Sequence, residues 1–351
     1  MNSAELLDSR TAIMPLSATR DEVNNIANYI QCYRCDDAIN IVSEIIHAEM
    51  VSHVLLVGSG DSYAMALLYA ALFNQISALP VRAIQSWEFI CENHGYLDNS
   101  WLVIVLSASG RQSPVVESLM KAQATTAQVV GITNQAESPF ALRARNLITT
   151  GATKVGMPTQ SNVATALWLE AIGCLLSENY RDRFNDELTR LQSVMRCLPD
   201  IASFSWCREL VQQLSSHRVT LLGSGGDYGL AVLFSNLLWC GPQQPNQVLQ
   251  LEEYAHALRL NQASTNDLVI IMDCTDNSTA LINHISDRLS ARNVAVKHIN
   301  HGFLSLIMRG NESFLQRNEN CRYYAMIFIF GFIISATENY LDSGGRRVSL
   351  E

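Results

Sequence analysis

Lysine and charge are scarce in this chain. Only three lysines occur among 351 residues, Lys121, Lys154 and Lys297, and charged residues make up 16% of the sequence. The net charge of −9 argues against a nucleic-acid partner, because such proteins neutralise phosphates with lysine and arginine. No lysine belongs to a motif, so chemistry through a lysine Schiff base or pyridoxal phosphate is poorly supported and no cofactor is predicted.

Secretory, membrane-spanning and metal-binding signals are also missing. No secretory signal precedes Ser52, and the most apolar run, 323–336, is too short for a bilayer and is typical of a core helix. The nine cysteines lie scattered in apolar stretches, and the single Cys-x-x-Cys pair, Cys32 and Cys35, has no second pair to complete a zinc site. This usage is typical of a reducing compartment, so we predict a cytoplasmic protein without a membrane partner or a metal.

The most informative feature of the sequence is a ten-residue segment that occurs twice. Segment 54–63 reads VLLVGSGDSY and segment 219–228 reads VTLLGSGGDY, so that Gly58 and Gly223 lie 165 residues apart. Each copy predicts a buried strand, a glycine turn and a helix. This spacing is too long for a solenoid repeat and suits one α/β domain, and the length of the chain suits two.

Strands and helices alternate in both halves of the sequence. This alternation predicts parallel sheets covered by helices on both faces, an αβα sandwich of the α/β class. The predicted strands are 54–57, 81–84, 101–106, 127–132 and 147–150 in the first half and 218–222, 247–250, 267–273 and 293–298 in the second. The predicted units are a helical segment at 1–50, a first domain at 51–196, a second domain at 197–340 and a tail at 341–351.

The glycine turns are similar to the dinucleotide-binding pattern G-x-G-x-x-G but depart from it at the last position. Tyr63 and Tyr228 stand where the third glycine would allow helix and strand to approach closely. The strand after the first turn ends on Gln85 and not on an acid that would hold a ribose hydroxyl. Glu252 follows the corresponding strand of the second copy, so a nicotinamide cofactor is disfavoured less strongly there.

A hydroxyl-rich loop follows the predicted strand 101–106. Ser107, Ser109 and Ser113 lie between this strand and a helix that begins near Pro114. Hydroxyls beside free N–H groups at a helix start form a phosphate cradle without a lysine, and parallel sheets bind ligands at the carboxyl ends of their strands. From this segment alone, a capping turn with serines facing solvent is an equal alternative.

The two hydroxyl-rich turns together resemble those of the sugar isomerase (SIS) domain family. The resemblance extends over residues 20–351 and is to the double-SIS proteins, which include the isomerase half of glucosamine-6-phosphate synthase and the fructosamine-6-phosphate deglycases. It implies two tandem SIS domains, each an αβα sandwich, that bind a small-molecule sugar phosphate. It also implies a homodimer or a higher homo-oligomer.

The resemblance implies binding residues in the first domain. Segment 58–63 is similar to the first turn of the family, segment 107–110 to its S-x-S-G phosphate loop, and 157–161 lies where the family has V-A-S-T-K, with Ser161 in place of the lysine. Arg111, just beyond the loop, is either an anion partner or an exposed arginine. The predicted substrate-binding residues of this domain are Ser59, Ser62, Ser107, Ser109, Gln112, Ser113 and Thr159.

The second half carries the implied catalytic residues. Segment 253–256 resembles the E-F-x-H segment of the family, whose histidine helps to open the sugar ring and is delivered across a dimer interface. His256 is therefore the predicted catalytic histidine, with Glu253 and Glu252 as candidate carboxylates; the alternative for His256 is a histidine on a surface helix. The tail resembles the closing segment of the family, with Arg347 at its lysine position, and is predicted to bind substrate and close the site.

The resemblance fails at the catalytic base. Sixteen residues before His256, where the family has its carboxylate, this chain has Cys240, and the lysine three residues earlier is Leu237. Proton transfer between neighbouring sugar carbons needs a base that works near neutral pH, and a cysteine buried in an apolar helix is expected to have a raised pKa. Glu88, Glu252 and Glu253 are candidates by position to replace the missing base.

Two functions follow from these observations. The first is an isomerase or deglycase that acts on an amino-sugar or ketosamine phosphate with an atypical base. The second is a sugar-phosphate binding or regulatory protein that has lost its catalytic activity. We favour the enzyme, although fold membership cannot choose between them because function depends on the site.

Overall fold

The computed structural model describes residues 15–34, 36–49, 51–194, 200–256, 259–274, 278–307 and 321–345. The strands of these residues are β1 (His53–Gly58), β2 (Val81–Gln85), β3 (Trp101–Ser107), β4 (Gln128–Thr133), β5 (Leu147–Thr149), β6 (Arg218–Gly223), β7 (Asn246–Gln250), β8 (Asp267–Asp273) and β9 (Ala295–Asn300). The helices of the first half are α1 (Leu16–Asn24), α2 (Ile26–Cys32), α3 (Asp36–Glu49), α4 (Asp61–Ile76), α5 (Ser86–Cys91), α6 (Pro114–Gln123), α7 (Gln160–Leu176) and α8 (Glu178–Val194). Those of the second half are α9 (Ser205–Ser216), α10 (Gly226–Cys240), α11 (Leu251–His256), α12 (Arg259–Gln262), α13 (Thr279–Ser290), α14 (His301–Ile307) and α15 (Cys321–Asp342).

The strands form two parallel sheets with the same order of strands. The first sheet has the order β2-β1-β3-β4-β5 and the second has the order β7-β6-β8-β9. The predicted α/β fold with two helix-covered parallel sheets is therefore confirmed, and each predicted strand is present within a few residues. The short helices α5 and α11, which follow β2 and β7, were not predicted, because segments of six residues are too short to show a helical period.

Both copies of the repeated segment make the same sharp turn from strand to helix. A Cβ atom on Gly58 would lie 2.6 Å from the backbone of Ser62, and one on Gly223 would lie 2.4 Å from the backbone of Asp227. The glycines two positions further on have φ values of +55° and +54°, which favour glycine. The turns therefore need glycine at both positions.

Alternate residues of the central strands face two different apolar layers. On β1, Val54 and Leu56 belong to the large core between the two sheets, whereas Leu55 and Val57 face α6 on the outer side. The second domain has a corresponding outer cluster. Because α4, α7, α10 and α15 contribute to the large core, it continues without interruption from one sheet to the other.

The helices that follow the two glycine turns, α4 and α10, pack against each other at the centre of this core. A Cβ atom on Gly229 of α10 would lie 2.6 Å from the amide nitrogen of Leu68 and 2.9 Å from the carbonyl oxygen of Ala64, both on α4. The two helix backbones can therefore approach closely because α10 has no side chain at this point.

Helix α15 is longer than the apolar run in the sequence indicates. Its 22 residues make it long and apolar enough to cross a membrane, so the length argument for a core helix is wrong. Packing gives a better argument, because 61% of its most apolar window is buried inside the chain. The buried part includes Phe328, Phe330 and Phe332. The interpretation as a core helix is therefore supported by its contacts.

A buried ion pair fixes the start of α15 to the first domain. Glu170 of α7 is fully buried, and its Oε1 atom accepts hydrogen bonds from Nε of Arg322 at 2.6 Å and from the hydroxyl of Tyr69 at 3.0 Å. The hydroxyl of Tyr180 contacts the second carboxylate oxygen and accepts a hydrogen bond from the same arginine at 2.6 Å. Each charge is compensated, as buried charges must be.

We expect Gly229→Ala to lower the free energy of unfolding by about 1–3 kcal/mol, because overpacking would separate α4 from α10. Gly302→Ala is the matched control, since Gly302 lies in α14 and a Cβ atom there has only the side chain of Asn300 nearby, at 3.5 Å. Alanine favours a helix over glycine by about 1 kcal/mol, so the control should be neutral or stabilised. Urea unfolding measures both, and equal effects would contradict the close packing.

We expect Arg322→Met to destabilise the protein by about 3–5 kcal/mol, because the carboxylate of Glu170 would be left buried without its cation. The double variant Glu170→Gln with Arg322→Met should recover much of this loss, since no charge then remains in the core. Urea unfolding of both variants measures the difference. A double variant as unstable as the single one would contradict the account of the ion pair.

Candidate functional site

A cavity of about 440 Å³ opens at the carboxyl ends of β1 and β3 in the first domain. Parallel sheets bind ligands at this edge, where the connections of neighbouring strands diverge. The carboxyl end of α10, from the second domain, completes the wall. The polar and charged residues that line the cavity are Ser59, Asp61, Ser62, Ser107, Ser109, Arg111, Ser113, Lys154, Asn162, Asn236 and Cys240.

The hydroxyl loop, residues 107–113, forms one wall of the cavity, and Ser107, Ser109 and Ser113 all line it. Gly110 holds the loop in shape: it has a φ of +60°, and its carbonyl oxygen accepts a hydrogen bond from the amide of Phe140 at 2.9 Å. Ser113 is the N-cap residue of α6, but its side chain makes no capping hydrogen bond. The geometry therefore favours a phosphate cradle over a turn that caps the helix with serines.

Three helices begin at the cavity. Helix α4 starts at Asp61, α6 starts after Ser113, and α7 starts between Pro158 and Asn162, which are all lining residues. The first turn of a helix carries free backbone N–H groups and a partial positive charge. Three such ends around one cavity favour a bound anion.

Lys154 also lines the cavity, although it belongs to no motif in the sequence. Its loop is held from two sides. The amide of Met157 donates to Oγ1 of Thr19 at 2.9 Å, which ties the loop to α1, and the amide of Thr153 donates to the side chain of Gln160 at 3.0 Å. Burial lowers the pKa of the Lys154 ammonium, while the nearby Asp61 opposes this shift. A second cation, Arg111, lies near it.

Asp61, the first residue of α4, places a carboxylate in the same cavity. Its Oδ1 atom accepts a hydrogen bond at 2.9 Å from the amide nitrogen of Asn236 of the second domain, and the side-chain amide of Asn162 lies nearby, where it donates to the carbonyl oxygen of Pro158 at 2.8 Å. Burial raises the pKa of this carboxyl group, against the effects of Lys154 and of the two amides. The site therefore contains an acid and an amine whose pKa values both move toward neutrality.

Cys240 lines the cavity at the end of α10, next to the exposed Trp239. The expectation that this cysteine is buried in the apolar helix is wrong, because the last turn of α10 reaches the cavity and leaves Cys240 partly exposed. Leu237 is fully buried in the core. None of the seven cysteines within the described residues forms a disulfide bond.

Several predicted site residues lie outside the cavity wall. Gln112 is next to it, and Thr159 is buried beneath the start of α7 with no hydrogen-bond partner for its hydroxyl group.

The candidate catalytic residues also lie outside this wall. Glu88 is exposed on α5. His256, Glu252 and Glu253 are exposed on α11 of the second domain, where Glu253 forms an ion pair with Arg259 at 2.8 Å. Arg347 lies outside the described residues.

The second domain does not reproduce the hydroxyl-rich turn. Asp227 stands where the first domain has Ser62, and its Oδ1 atom accepts a hydrogen bond from the backbone amide of Cys274 at 3.0 Å. A buried carboxylate at this point disfavours a bound anion. Within the described part of the chain, no group of histidine, cysteine and acidic residues is suited to hold a metal ion.

Sequence reasoning missed Lys154, Asp61 and Asn236. Lys154 precedes the 157–161 segment by three positions, and Asp61 lies inside the first glycine turn, so both were adjacent to recognised motifs. Asn236 gave no signal, because the helical pattern of α10 does not show which of its polar residues faces the other domain.

Comparison with known proteins identifies the first domain. Residues 49–173 match the model of the SIS domain. The chain is 25% identical over 223 residues to a glutamine–fructose-6-phosphate aminotransferase (isomerizing) of Clostridium acetobutylicum, covering 61% of this chain and 36% of the relative. A protein of the same name from Thermococcus kodakarensis is 28% identical over 206 residues, covering 54% and 34%. The chain thus spans about a third of the length of these curated relatives.

Solved structures extend the similarity to both domains. The C-terminal domain of glucosamine-fructose-6-phosphate aminotransferase from Francisella tularensis superposes with a TM-score of 0.74 at 16% identity, covering 95% of this chain and 96% of that one. Tagatose-6-phosphate ketose/aldose isomerase from Escherichia coli gives 0.68 at 14% identity, covering 96% and 97%. Glucosamine-6-phosphate deaminase from Thermotoga maritima gives 0.68 at 14%, covering 95% of each. Residues 49–173 thus match the SIS domain, and the chain as a whole has the fold of these solved structures, with two parallel sheets flanked by helices.

Proposed function

We propose that the chain binds a sugar phosphate in the first-domain cavity, with the phosphate group on the hydroxyl loop. One observation carries this proposal: three serine hydroxyls of that loop, the starts of three helices and the cations of Arg111 and Lys154 converge on one cavity of about 440 Å³. Phosphate oxygens accept hydrogen bonds from hydroxyls and backbone N–H groups, and helix dipoles favour negative charge at this point. The volume is in the range of small-molecule sites.

The names of the relatives support the same class of ligand. The curated relatives are named for fructose-6-phosphate, and two of the solved structures are named for glucosamine-6-phosphate and tagatose-6-phosphate. We therefore propose an isomerase or deglycase that acts on an amino-sugar or ketosamine phosphate with an atypical base. The alternative is a sugar-phosphate binding or regulatory protein without activity, and the thiol of Cys240 in place of a carboxylate favours it.

In this proposal a second chain completes the site. His256, Glu252 and Glu253 lie outside the cavity of their own chain, so they would act on substrate in a neighbouring chain of a homodimer or a higher homo-oligomer. The cytoplasmic location stays a prediction. So do the domain bounds at 51–196 and 197–340 and the closing tail with Arg347.

The double variant Ser107→Ala with Ser109→Ala should lower the affinity for a bound hexose phosphate by at least about a hundredfold. The physical reason is that each hydrogen bond to the charged phosphate group contributes about 1.5–3 kcal/mol. A thermal-shift screen of hexose, hexosamine and ketosamine phosphates finds the ligand, and calorimetric titration measures its affinity, since a specific ligand raises Tm by mass action.

The matched control replaces two exposed serines of α9 and α13 away from the cavity, Ser215→Ala with Ser290→Ala, and should bind like the parent. If the loop variant binds the sugar phosphate as tightly as the parent, the phosphate group does not bind at the hydroxyl loop. A parent protein that binds none of the sugar phosphates would overturn the proposed function as a whole.

His256→Ala should abolish turnover of the sugar phosphate found in the screen and leave its binding intact, because the imidazole acts on the sugar ring and not on the phosphate group. Co-expression of this variant with the Ser107→Ala and Ser109→Ala chain should restore about a quarter of the parent turnover, since each mixed dimer contains one intact site. Light scattering measures the assembly. No recovery in the mixed sample, or a monomeric protein, would contradict a site shared between chains.

A further inference from the structure

The cavity contains a carboxylate and an amine that binding of a phosphate group does not explain. We propose that Asp61 and Lys154 are the catalytic acid–base pair of this site, which is an inference that rests on the proposed function. Asp61 transfers the proton between the two neighbouring carbons of the open-chain sugar phosphate. Lys154 donates a proton to the oxygen atom on one of these carbons and accepts a proton from the oxygen atom on the other. Together they would replace the carboxylate base that the SIS resemblance led us to expect at Cys240.

The proposed reaction balances within the site. The Asp61 carboxylate removes the proton from the carbon next to the carbonyl group, the electron pair forms a carbon–carbon double bond, and the carbonyl oxygen takes a proton from the Lys154 ammonium. The resulting enediol then accepts the proton of Asp61 on the former carbonyl carbon, and the neighbouring hydroxyl returns its proton to Lys154 as the new carbonyl forms. Both side chains end in their starting states, and no further reactant is needed.

The position of Asp61 is the main support. Asn236, which bonds to this carboxylate at 2.9 Å, lies one helical turn before Cys240 on the same face of α10. The carboxylate of Asp61 therefore lies beside the part of α10 where the base was expected, although it belongs to the first domain. It is also next to Ser62 and lines the same cavity as the hydroxyl loop, so a sugar whose phosphate group binds that loop has its carbons in the cavity that Asp61 lines.

The arrangement around the pair suits proton transfer. The amide group of Asn236 on α10 holds the carboxylate of Asp61, which orients it before substrate arrives. Burial is the largest cause that raises the pKa of Asp61, and it is also the largest cause that lowers the pKa of Lys154, where Arg111 adds to the effect. A stronger carboxylate base and a more acidic ammonium are the changes that general acid–base catalysis near neutral pH requires.

The test is exchange of carbon-bound hydrogen for deuterium, because exchange reports proton removal even where net conversion is slow. Fructose-6-phosphate, glucose-6-phosphate, glucosamine-6-phosphate and tagatose-6-phosphate are incubated with the full chain in D₂O, and NMR follows the signals at the first and second carbons. Asp61→Asn keeps the size of the side chain and should lower the exchange rate at least about a hundredfold. Affinity for the same sugar phosphate, measured by calorimetry, should stay within about threefold of the parent because the phosphate contacts remain.

Lys154→Arg separates catalysis from attraction of the anion. Arginine keeps the positive charge in the cavity but does not release a proton, so exchange should fall by about a hundredfold while binding is retained. Loss of binding with normal exchange at saturation would assign Lys154 to the phosphate group and overturn its role as the acid. Asp98→Asn and Lys121→Arg, two substitutions of the same types outside the cavity wall, are the controls and should exchange like the parent.

The outcomes distinguish this inference from the proposed function. Binding without exchange in the parent protein, or exchange by Asp61→Asn at the parent rate, overturns the acid–base pair and leaves sugar-phosphate binding in place. If Glu253→Gln loses the exchange and Asp61→Asn keeps it, the base is Glu253 and not Asp61, and the acid–base pair is likewise overturned. If no hexose, hexosamine or ketosamine phosphate of the thermal-shift screen binds, the proposed function itself has failed. Should Asp61→Asn not fold, Lys154→Arg still decides, because it keeps both charge and bulk.

Discussion

The close packing of α4 against α10 is the contact on which the candidate site depends. Gly229 allows the two helix backbones to meet, and this contact carries the last turn of α10 to the cavity of the first domain. Asn236 can then bond to Asp61, and Cys240 can line the cavity. A site formed by the first domain alone would lack one wall and would leave the carboxylate of Asp61 without the amide of Asn236.

The two domains share a backbone but differ in what their turns can bind. In both copies, tight glycines force the strand directly into a helix, so that free N–H groups point to the carboxyl edge of the sheet. In the first copy, Ser62 leaves that edge open to a ligand anion. In the second, the carboxylate of Asp227 already bonds to the backbone after β8. The two turns thus differ at two positions, Asp61 against Gly226 and Ser62 against Asp227, and the hydroxyl of Ser62 is replaced in the second domain by a carboxylate that is already bonded to the backbone.

The cavity contains two cations, Arg111 and Lys154, the starts of three helices and the carboxylate of Asp61, which lies near Lys154. This mixture of charges suits a ligand with an anionic end and a neutral or basic end, which is the general form of a sugar phosphate or an amino-sugar phosphate. The same low-dielectric setting that strengthens these interactions also moves the pKa values of Asp61 and Lys154. The proposed binding and the proposed acid–base chemistry therefore share one cause, the burial of charged groups.

The sequence by itself determined the features that depend on neighbouring residues. Apolar runs and the repeated segment with its glycines predicted the strands, both sharp turns and the domain count. The serines around Gly110 predicted a phosphate loop. Only the tertiary structure decided the content of the cavity. Asp61 and Asn236 meet across 175 residues of chain, and the loop of Lys154 is held by α1 from more than a hundred residues away. Such contacts depend on how the helices pack against one another, and no local pattern of residues indicates that packing.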